Sequence, residues 1–207
     1  MKRPKKKRSV KAVVIGVSTG GVEALRTVLM ALPASFPLPV MVVAHIAPES
    51  GSGLARLLDD LCSIRVKEAD EFETAVPGTV YLAPANYHLQ VEAGGVLTLS
   101  VDAPVSYARP SADVLFETAA AAYGDELAGV ILTGAGGDGA RGLEKVRRMG
   151  GIVVVQHPDD AECSSMPLQS LMLVRPDYVV PLKDVASLLI ELAGTSAHHE
   201  KECTYAE

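Results

Sequence analysis

The sequence has 207 residues, of which 48% are hydrophobic and 21% are charged, so we expect one domain with a full apolar core and exclude intrinsic disorder. Its 18 glycines and 13 prolines follow no period, which excludes a collagen-like chain, and no apolar run approaches the ~20 residues of a membrane helix. The net charge of −6 is uneven, because residues 1–11 hold seven of the 19 basic residues and no acid. The rest therefore has 19 − 7 = 12 bases against 25 acids, a net of −13.

The chain begins with this basic segment. Such a segment can contact nucleic acid, an anionic membrane or an acidic partner, and a solvated terminus is the simpler interpretation. We predict that residues 1–9 are a disordered basic tip and that the protein binds no nucleic acid. The polar residues 195–207 predict a frayed tail at the other end.

Apolar runs and amphipathic stretches alternate between these two ends. Short β-rich runs predict strands buried on both faces over residues 11–17, 39–44, 128–132 and 152–155. Longer amphipathic stretches predict helices over 22–32, 53–61, 112–123, 140–149 and 184–193, and Ser111 and Gly124 are the predicted caps of the third. We therefore predict a doubly wound α/β fold, with a mostly parallel sheet and helices on both faces.

Residues 78–101 interrupt the alternation. Short strands are predicted over 78–83, 87–92 and 96–101, and the last two are joined by an Ala-Gly-Gly link that is typical of a hairpin. We interpret the whole segment as a small antiparallel hairpin insertion on the α/β body.

Three cysteines, Cys62, Cys163 and Cys203, lie far apart without a C-x-x-C spacing. This pattern is typical of inert thiols in a reducing compartment, so we predict a cytoplasmic protein without disulfides. His198 and His199 form a pair in the predicted frayed tail, which is a poor metal site. We predict that the protein needs no metal and no cofactor.

Open α/β sheets bind ligands in loops at the carboxyl ends of their strands, and the first such loop is GVSTGG, residues 16–21. It matches G-x-S-x-G, a sharp strand-to-helix turn that exposes a serine hydroxyl, here that of Ser18. Helix N–H groups at the same turn can stabilise an oxyanion. The alternative is a phosphate-binding or merely tight turn, although the loop lacks the G-x-G-x-x-G fingerprint and the P-loop lysine.

His45 closes the second predicted strand, where a general base would face the ligand crevice. A lone histidine is more often a hydrogen-bonded structural residue, but a serine at the end of a neighbouring parallel strand favours a base. His157, at another strand end, is the second candidate for this role, and His88 lies in the hairpin region.

A third loop, LTGAGGDGA at residues 132–140, again runs from a strand into a helix. Asp138 can be the acid that orients His45 and stabilises its imidazolium form, or simply an N-cap. The order Ser18, His45, Asp138 differs from the Ser–Asp/Glu–His order of the α/β-hydrolases that share the serine turn.

Together these loops resemble the catalytic domain of the chemotaxis receptor protein-glutamate methylesterases (CheB). The similar segments are residues 14–25 (VIGVSTGGVEAL), 44–46 (AHI), 77–84 (PGTVYLAP), 109–113 (RPSAD), 132–140 (LTGAGGDGA) and 150–151 (GG). The resemblance extends over about residues 12–190, and it implies a catalytic domain at 10–194 between the tip and the tail.

The resemblance implies a Ser18–His45–Asp138 triad that hydrolyses methyl esters of glutamate on chemoreceptor helices through an acyl-enzyme, and glutamine deamidation as a second activity. The backbone N–H groups of Thr19 and Ala135 are our candidates for the oxyanion hole, the second by analogy with the family's loop. Arg109 is expected to line the substrate cleft, with a structural salt bridge as the alternative.

The chain departs from the family pattern in three places, with Ala135 for a usual Met, Ala44 for Gln, and His157 for an acidic residue. The family's proteins usually begin with a receiver domain, so we expect an excised or stand-alone catalytic domain and a separate receiver or regulatory protein as a partner. A non-catalytic signalling module and a small-ligand or nucleotide-binding domain are the alternatives.

Overall fold

The computed structural model describes residues 9–45 and 53–197. The strands are β1 (Ala12–Val17), β2 (Val40–Ala44), β3 (Arg65–Glu68), β4 (Thr79–Leu82), β5 (His88–Val91), β6 (Leu97–Ser100), β7 (Leu127–Ile131), β8 (Ile152–Gln156) and β9 (Tyr178–Val180). The helices are α1 (Gly21–Met30), α2 (Gly53–Leu61), α3 (Ala112–Tyr123), α4 (Ala140–Arg148), α5 (Ser165–Leu173) and α6 (Leu182–Ala197).

Seven strands form one sheet in the order β3-β4-β2-β1-β7-β8-β9, and every pairing in it is parallel. The strands β5 and β6 form a separate antiparallel pair. Parallel strands need crossovers, and helices supply them here. The predicted α/β fold, with a small antiparallel hairpin, is confirmed.

Two apolar cores lie on opposite faces of this sheet. One packs α1, α2 and α6 against side chains such as Ile15 and Val42. The other packs α3, α4, Met166 of α5 and the β5–β6 hairpin against side chains such as Val14 and Val43. Because strand side chains alternate between the faces, the continuous apolar runs of β1 and β2 bury both sides.

The chain changes faces beside the central strand. The helices α1 and α2, which follow β1 and β2, pack on one face of the sheet. The helices α3 and α4, which precede and follow β7, pack on the other face. Since β2 and β7 flank β1, the loops after β1 and β7 diverge. Such a point in an open α/β sheet leaves a crevice for ligands at the carboxyl edge.

The prediction that residues 78–101 form one antiparallel insertion is wrong in its first part. Residues Thr79–Leu82 form β4, which pairs in parallel with both β2 and β3 inside the main sheet. Only β5 and β6 make the hairpin, through a tight turn with Gly94 and Gly95 at positive φ. The strand β4 was misassigned because a short strand and the turns that flank it do not reveal which strand it pairs with.

Three elements were absent from the prediction: β3, β9 and α5. Both strands are edges of the sheet with exposed residues, so they lack a continuous apolar run. The helix α5 contains Pro167, and a proline in the sequence usually argues against a helix. Proline is tolerated here because Pro167 lies in the first turn of α5. The helices α2 and α3 have the predicted bounds, and α6 extends to Ala197.

Residues 1–8 of the predicted tip, most of the predicted tail, His198, His199 and Cys203 lie outside the described residues. Within residues 9–45 and 53–197, no helix combines the length and hydropathy that a membrane crossing requires.

Gly142 allows the closest approach between α3 and α4. A Cβ at this position would lie 2.6 Å from Phe116 Cβ and 3.0 Å from the Asp113 carbonyl oxygen. We predict that Gly142→Ala lowers the free energy of unfolding by ~1–3 kcal/mol, because a well-packed contact must open.

Gly194 in α6 is the matched control, since a Cβ there would meet nothing within 4 Å. Gly194→Ala should raise the free energy of unfolding by about 0.5–1 kcal/mol through its higher helix propensity. Urea denaturation of both variants measures the difference, and equal effects would contradict the close packing of the two helices.

Candidate active site

Ser18 stands at the end of β1, in the turn that leads into α1. Its N–H donates to the Thr133 carbonyl at 3.0 Å, and its own carbonyl accepts from the Gly21 N–H at 2.7 Å. Gly20 has a left-handed φ of 76°, a conformation that favours glycine, and a Cβ there would strike Glu162. The glycine therefore permits the sharp turn, and Ser18 is half-buried at the sheet edge.

His45 lies on the same face of the sheet as Ser18. The register pairs Val17 with Ala44, and both side chains belong to the core beneath α1, α2 and α6. The next residue on each strand therefore points to the opposite face. The His45 N–H donates to the Val17 carbonyl at 3.0 Å, which continues the β1–β2 pairing into this position.

A hydrogen bond joins the His45 ring to the loop after β7. His45 Nε2 lies 2.8 Å from Asp138 Oδ2, with His45 19% and Asp138 4% exposed. An ionised carboxylate can only accept, so Nε2 carries the proton and Nδ1 of the neutral ring is left as an acceptor. In the described residues, no hydrogen bond joins the Ser18 hydroxyl to this ring.

Asp138 is held at the N-terminus of α3, the helix that follows the hairpin. Its carboxylate accepts from the Ser111 hydroxyl at 2.7 Å and from the N–H groups of Ala112 at 2.6 Å and Asp113 at 3.1 Å. Burial disfavours the charge, but the hydrogen bonds from His45, Ser111 and the helix N–H groups outweigh it, so the pKa of Asp138 lies below its usual 3.8. The positive end of the helix dipole acts in the same direction.

This arrangement changes the predicted roles of Ser111 and Asp138 in the helix ends. Ser111 occupies the N-cap position of α3, but its hydroxyl makes no cap hydrogen bond and donates to Asp138 instead. Asp138 caps α3, which is remote in sequence, and the N-cap of the helix that follows it, α4, is Gly139. The capping carboxylate comes from another loop because α3 and α4 pack side by side.

Asp113 makes the reciprocal contact at the start of α4. Its carboxylate accepts from the Gly142 N–H at 2.7 Å, and the side chain is 3% exposed. Burial raises the pKa of Asp113 from 3.8 to about 6, against the Gly142 hydrogen bond and with a contribution from the negative charge of Asp138. Each of the two helices is thus capped by a buried aspartate from the other's N-terminal region.

The backbone of the third loop fixes Ser18 from the side. A Cβ at Gly134 would lie 2.8 Å from Ser18 Cβ and 2.0 Å from the sulfur of Met166, which is fully buried. The Gly134 carbonyl accepts from the Met166 N–H at 2.9 Å, so α5 begins against this loop. Only glycine fits between the serine and the methionine.

Thr133 ties the first and third loops together. Its hydroxyl donates to the Thr19 carbonyl at 2.9 Å and accepts from the Cys163 N–H at 2.9 Å. Its N–H donates to Gln156 Oε1 at 2.8 Å, and both side chains are buried. Thr133 and Gln156 could not be recognised from the sequence, because neither residue type marks a positioning role.

The proposed oxyanion donors, Thr19 and Ala135, belong to the two loops that flank Ser18. Within the described residues, neither backbone N–H donates a hydrogen bond to another residue. The neighbouring N–H groups of Ser18 and Gly134, in contrast, donate to the Thr133 and Cys163 carbonyls.

A cleft of about 320 Å³ opens beside the His45–Asp138 pair. Its walls are the loop with Ala135 and a segment that includes Tyr107 and Arg109. Arg109 Nη1 donates to the carbonyls of Val101 at 2.7 Å and Asp102 at 3.0 Å, and no salt bridge of Arg109 occurs in the described part of the chain. Arg109 therefore fastens the cleft wall through main-chain oxygens.

The other histidines have separate contacts. His88 is 1% exposed, and its ring accepts from the Ser111 N–H at 3.2 Å and faces the Ala103 carbonyl at 3.2 Å. It supports the start of α3 and does not reach the cleft. His157, the second candidate base, follows β8 and accepts from the Asp159 N–H at 3.3 Å, and it is absent from the lining of the cleft that contains His45. The Cys62 and Cys163 thiols are free.

A family model described as CheB methylesterase matches residues 13–189. The chain belongs to the CheB methylesterase family. The crystal structure of the Thermotoga maritima CheB methylesterase catalytic domain superposes with a TM-score of 0.85 at 38% identity, covering 89% of this chain and 99% of that one. This finding confirms the fold and the family resemblance.

Curated relatives agree with this membership. A Bordetella pertussis protein named protein-glutamate methylesterase/protein-glutamine glutaminase is 41% identical over 196 residues, which are 92% of this chain and 55% of the relative. A Leptospira interrogans protein that carries the same name provisionally is 47% identical over 181 residues, 87% of this chain and 94% of the relative. The chain spans nearly all of the second relative and about half of the first. The prediction of a hydrolase of the methylesterase type is confirmed.

The buried Asp113 gives a pH dependence of stability with a defined sign. The folded state holds the Asp113 proton more tightly than the unfolded state, so this contribution is full below pH 3.8 and is lost as the pH rises through about 6. Asp113→Asn stays neutral and keeps a carbonyl acceptor for the Gly142 N–H. We predict that the variant gains stability relative to the wild type as the pH rises from roughly 4 to 7.

Urea denaturation at a series of pH values measures this difference. Asp138 has the opposite sign, because its lowered pKa adds stability above 3.8 that is lost only as the pH falls below it. The two contributions therefore occupy separate pH windows. A stability difference between Asp113→Asn and the wild type that stays constant from roughly pH 4 to 7 would contradict the buried, charged state of Asp113.

Proposed function

We propose that the chain hydrolyses methyl esters of protein glutamate side chains with Ser18 as nucleophile, His45 as general base and Asp138 as the orienting acid. The observation that carries the proposal is the 2.8 Å hydrogen bond between His45 and the buried, ionised Asp138. His45 follows β2, the strand that pairs with the strand before Ser18. A strand-end serine, an oriented imidazole and two available N–H groups are the parts that acyl transfer requires.

In the first half-reaction, the Ser18 hydroxyl turns to His45 Nδ1 and transfers its proton as Oγ attacks the ester carbonyl carbon. Catalytic hydrogen bonds of this kind are often long in the free enzyme and shorten in the complex. The carbonyl oxygen becomes an anion, and the Thr19 and Ala135 N–H groups are the donors proposed to bind it. Asp138 stabilises the imidazolium that forms and keeps its own charge.

The tetrahedral intermediate then collapses. The bond between the carbonyl carbon and the methoxy oxygen breaks as His45 gives its proton to that oxygen. Methanol departs, and the acyl group remains bonded to Ser18 as an acyl-enzyme. A water molecule loses a proton to His45 and attacks the acyl carbon, and the Ser18–acyl bond breaks as the proton returns to Oγ. The products are methanol and a glutamic acid side chain, which releases its proton to solvent to become the carboxylate, and the residues of the protein return to their starting protonation states.

The proposed substrate is a methylated chemoreceptor or a similar helical protein. The relatives' names refer to protein glutamate and glutamine, and a cleft at the surface of the sheet edge can receive a side chain that projects from a helix. Arg109 contributes by holding the cleft wall. A separate receiver or regulatory protein and a cytoplasmic location belong to the same proposal.

Glutamine deamidation is the second candidate activity, and the relatives' paired names favour it. The same steps apply, except that the bond to the amide nitrogen breaks and ammonia leaves in place of methanol. Both reactions use His45 as base and as acid, so the two activities should be lost together in a His45 variant.

We predict that Ser18→Ala and His45→Ala each lower methanol release from a methylated receptor fragment by about 10⁴-fold or more, because either change removes the nucleophile or its base. Asp138→Asn should retain more activity than Ser18→Ala, since the acid only orients and stabilises the base. Fluorophosphonate labelling should disappear in Ser18→Ala and slow in His45→Ala.

His157→Ala is the matched control, because this histidine also ends a strand but contacts Asp159 instead of the cleft. It should keep wild-type turnover. Full activity in His45→Ala, or labelling that persists in Ser18→Ala, would contradict the proposed roles of these residues. Absence of both methanol release and labelling in the wild-type protein would favour a non-catalytic module. Circular dichroism of each variant separates a chemical effect from misfolding.

A further inference from the structure

The segment between β6 and α3 carries an aromatic side chain that the fold does not use. We define residues 101–108 as the arm, and its first seven residues are all exposed. Tyr107 near its tip is 105% exposed, as much as in an extended peptide. The ring therefore contributes nothing to either core, and its position needs another explanation.

The tip of the arm is a strained turn. Ser106 and Tyr107 have left-handed φ values of 51° and 63°, and two hydrogen bonds of 3.1 and 2.9 Å join Val105 to Ala108 across them. Turns with two left-handed residues normally use Asn and Gly, because a side chain there costs free energy. A bulky residue in this conformation is uncommon and is found most often at functional sites.

The arm is fastened at its base. Arg109 Nη1 holds the carbonyls of Val101 and Asp102, and the buried His88 ring faces the Ala103 carbonyl. The same His88 ring accepts from the N–H of Ser111, whose hydroxyl donates to Asp138. The arm is thus held in a fixed position relative to the catalytic residues.

Tyr107 lines the same cleft as His45 and Asp138. A tyrosine side chain has only two rotatable bonds to order on binding, and it offers a large apolar face with a polar end. These properties explain the enrichment of tyrosine among the residues that dominate protein interfaces. A helix across the cleft places residues three or four positions from the ester on the same face as the ester. An apolar side chain there can pack on the tyrosine ring.

We propose that Tyr107 is the docking residue for the protein substrate: it binds an apolar side chain one helical turn from the esterified glutamate and sets the affinity for protein over small esters. This inference rests on the proposed function and adds the residue that recognises the substrate helix. Its role is binding, and the chemistry at Ser18 proceeds without it.

The test compares two substrates, a methylated helical receptor fragment and a small soluble aryl ester. In Tyr107→Ala, the ratio of kcat/KM for the protein to kcat/KM for the small ester should fall about tenfold or more, mainly through KM. Tyr107→Phe keeps the aromatic face and should restore most of the ratio. The matched control is Phe72→Ala, because Phe72 is also aromatic, 75% exposed and left-handed at φ 61°, and is absent from the cleft lining.

A binding measurement separates this inference from the proposed reaction. In a Ser18→Ala background, which does not consume the ester, adding Tyr107→Ala should weaken binding of the methylated fragment about tenfold. Unchanged binding, no measurable binding before the change, or an equal loss for Phe72→Ala overturns the docking role. A wild-type protein that binds the fragment but releases no methanol contradicts only the proposed reaction.

Discussion

A buried carboxylate at the N-terminus of α3 connects the fold to the chemistry. Asp138 satisfies the first N–H groups of that helix, and the same charge fixes the imidazole of His45. A helix N-terminus stabilises a negative charge without needing a mobile counterion. Because the lowered pKa keeps Asp138 ionised, the carboxylate can orient the proposed base without competing for its proton. Removing α3 from this position would remove the support of the proposed triad.

Two buried aspartates near one helix pair would repel each other if both were charged. Their surroundings differ, so the two carboxyl groups do not ionise over the same pH range. Asp138 receives four hydrogen bonds, and Asp113 is more poorly compensated, so their pKa values move in opposite directions. The close contact at Gly142 brings them near each other. The packing of α3 on α4 therefore places the N–H groups that keep the proposed catalytic acid ionised, which links a core contact to the proposed active site.

The sequence allowed the ends of β1, β2 and β7 to be identified, because buried parallel strands have continuous apolar runs and ligands bind at their carboxyl ends. Ser18, His45 and Asp138 could therefore be proposed as site residues from the sequence alone. The sequence did not predict that Asp138 caps α3, or that the Ser111 hydroxyl points to it, because both depend on a helix far away in sequence. The edge strands β3 and β9 escaped prediction for a similar reason, since pairing and not local pattern defines them. Tyr107 gave no signal, as exposure is a property of the folded chain.

The orientation of the His45 ring is the central claim, and nitrogen-15 NMR of the free protein at neutral pH tests it most directly. In the neutral form of the ring, we predict that the proton is on Nε2, bonded to Asp138, and that the bare Nδ1 accepts from Ser18. A neutral ring protonated on Nδ1, with Nε2 bare, would contradict this orientation and the Nδ1 route for the Ser18 proton.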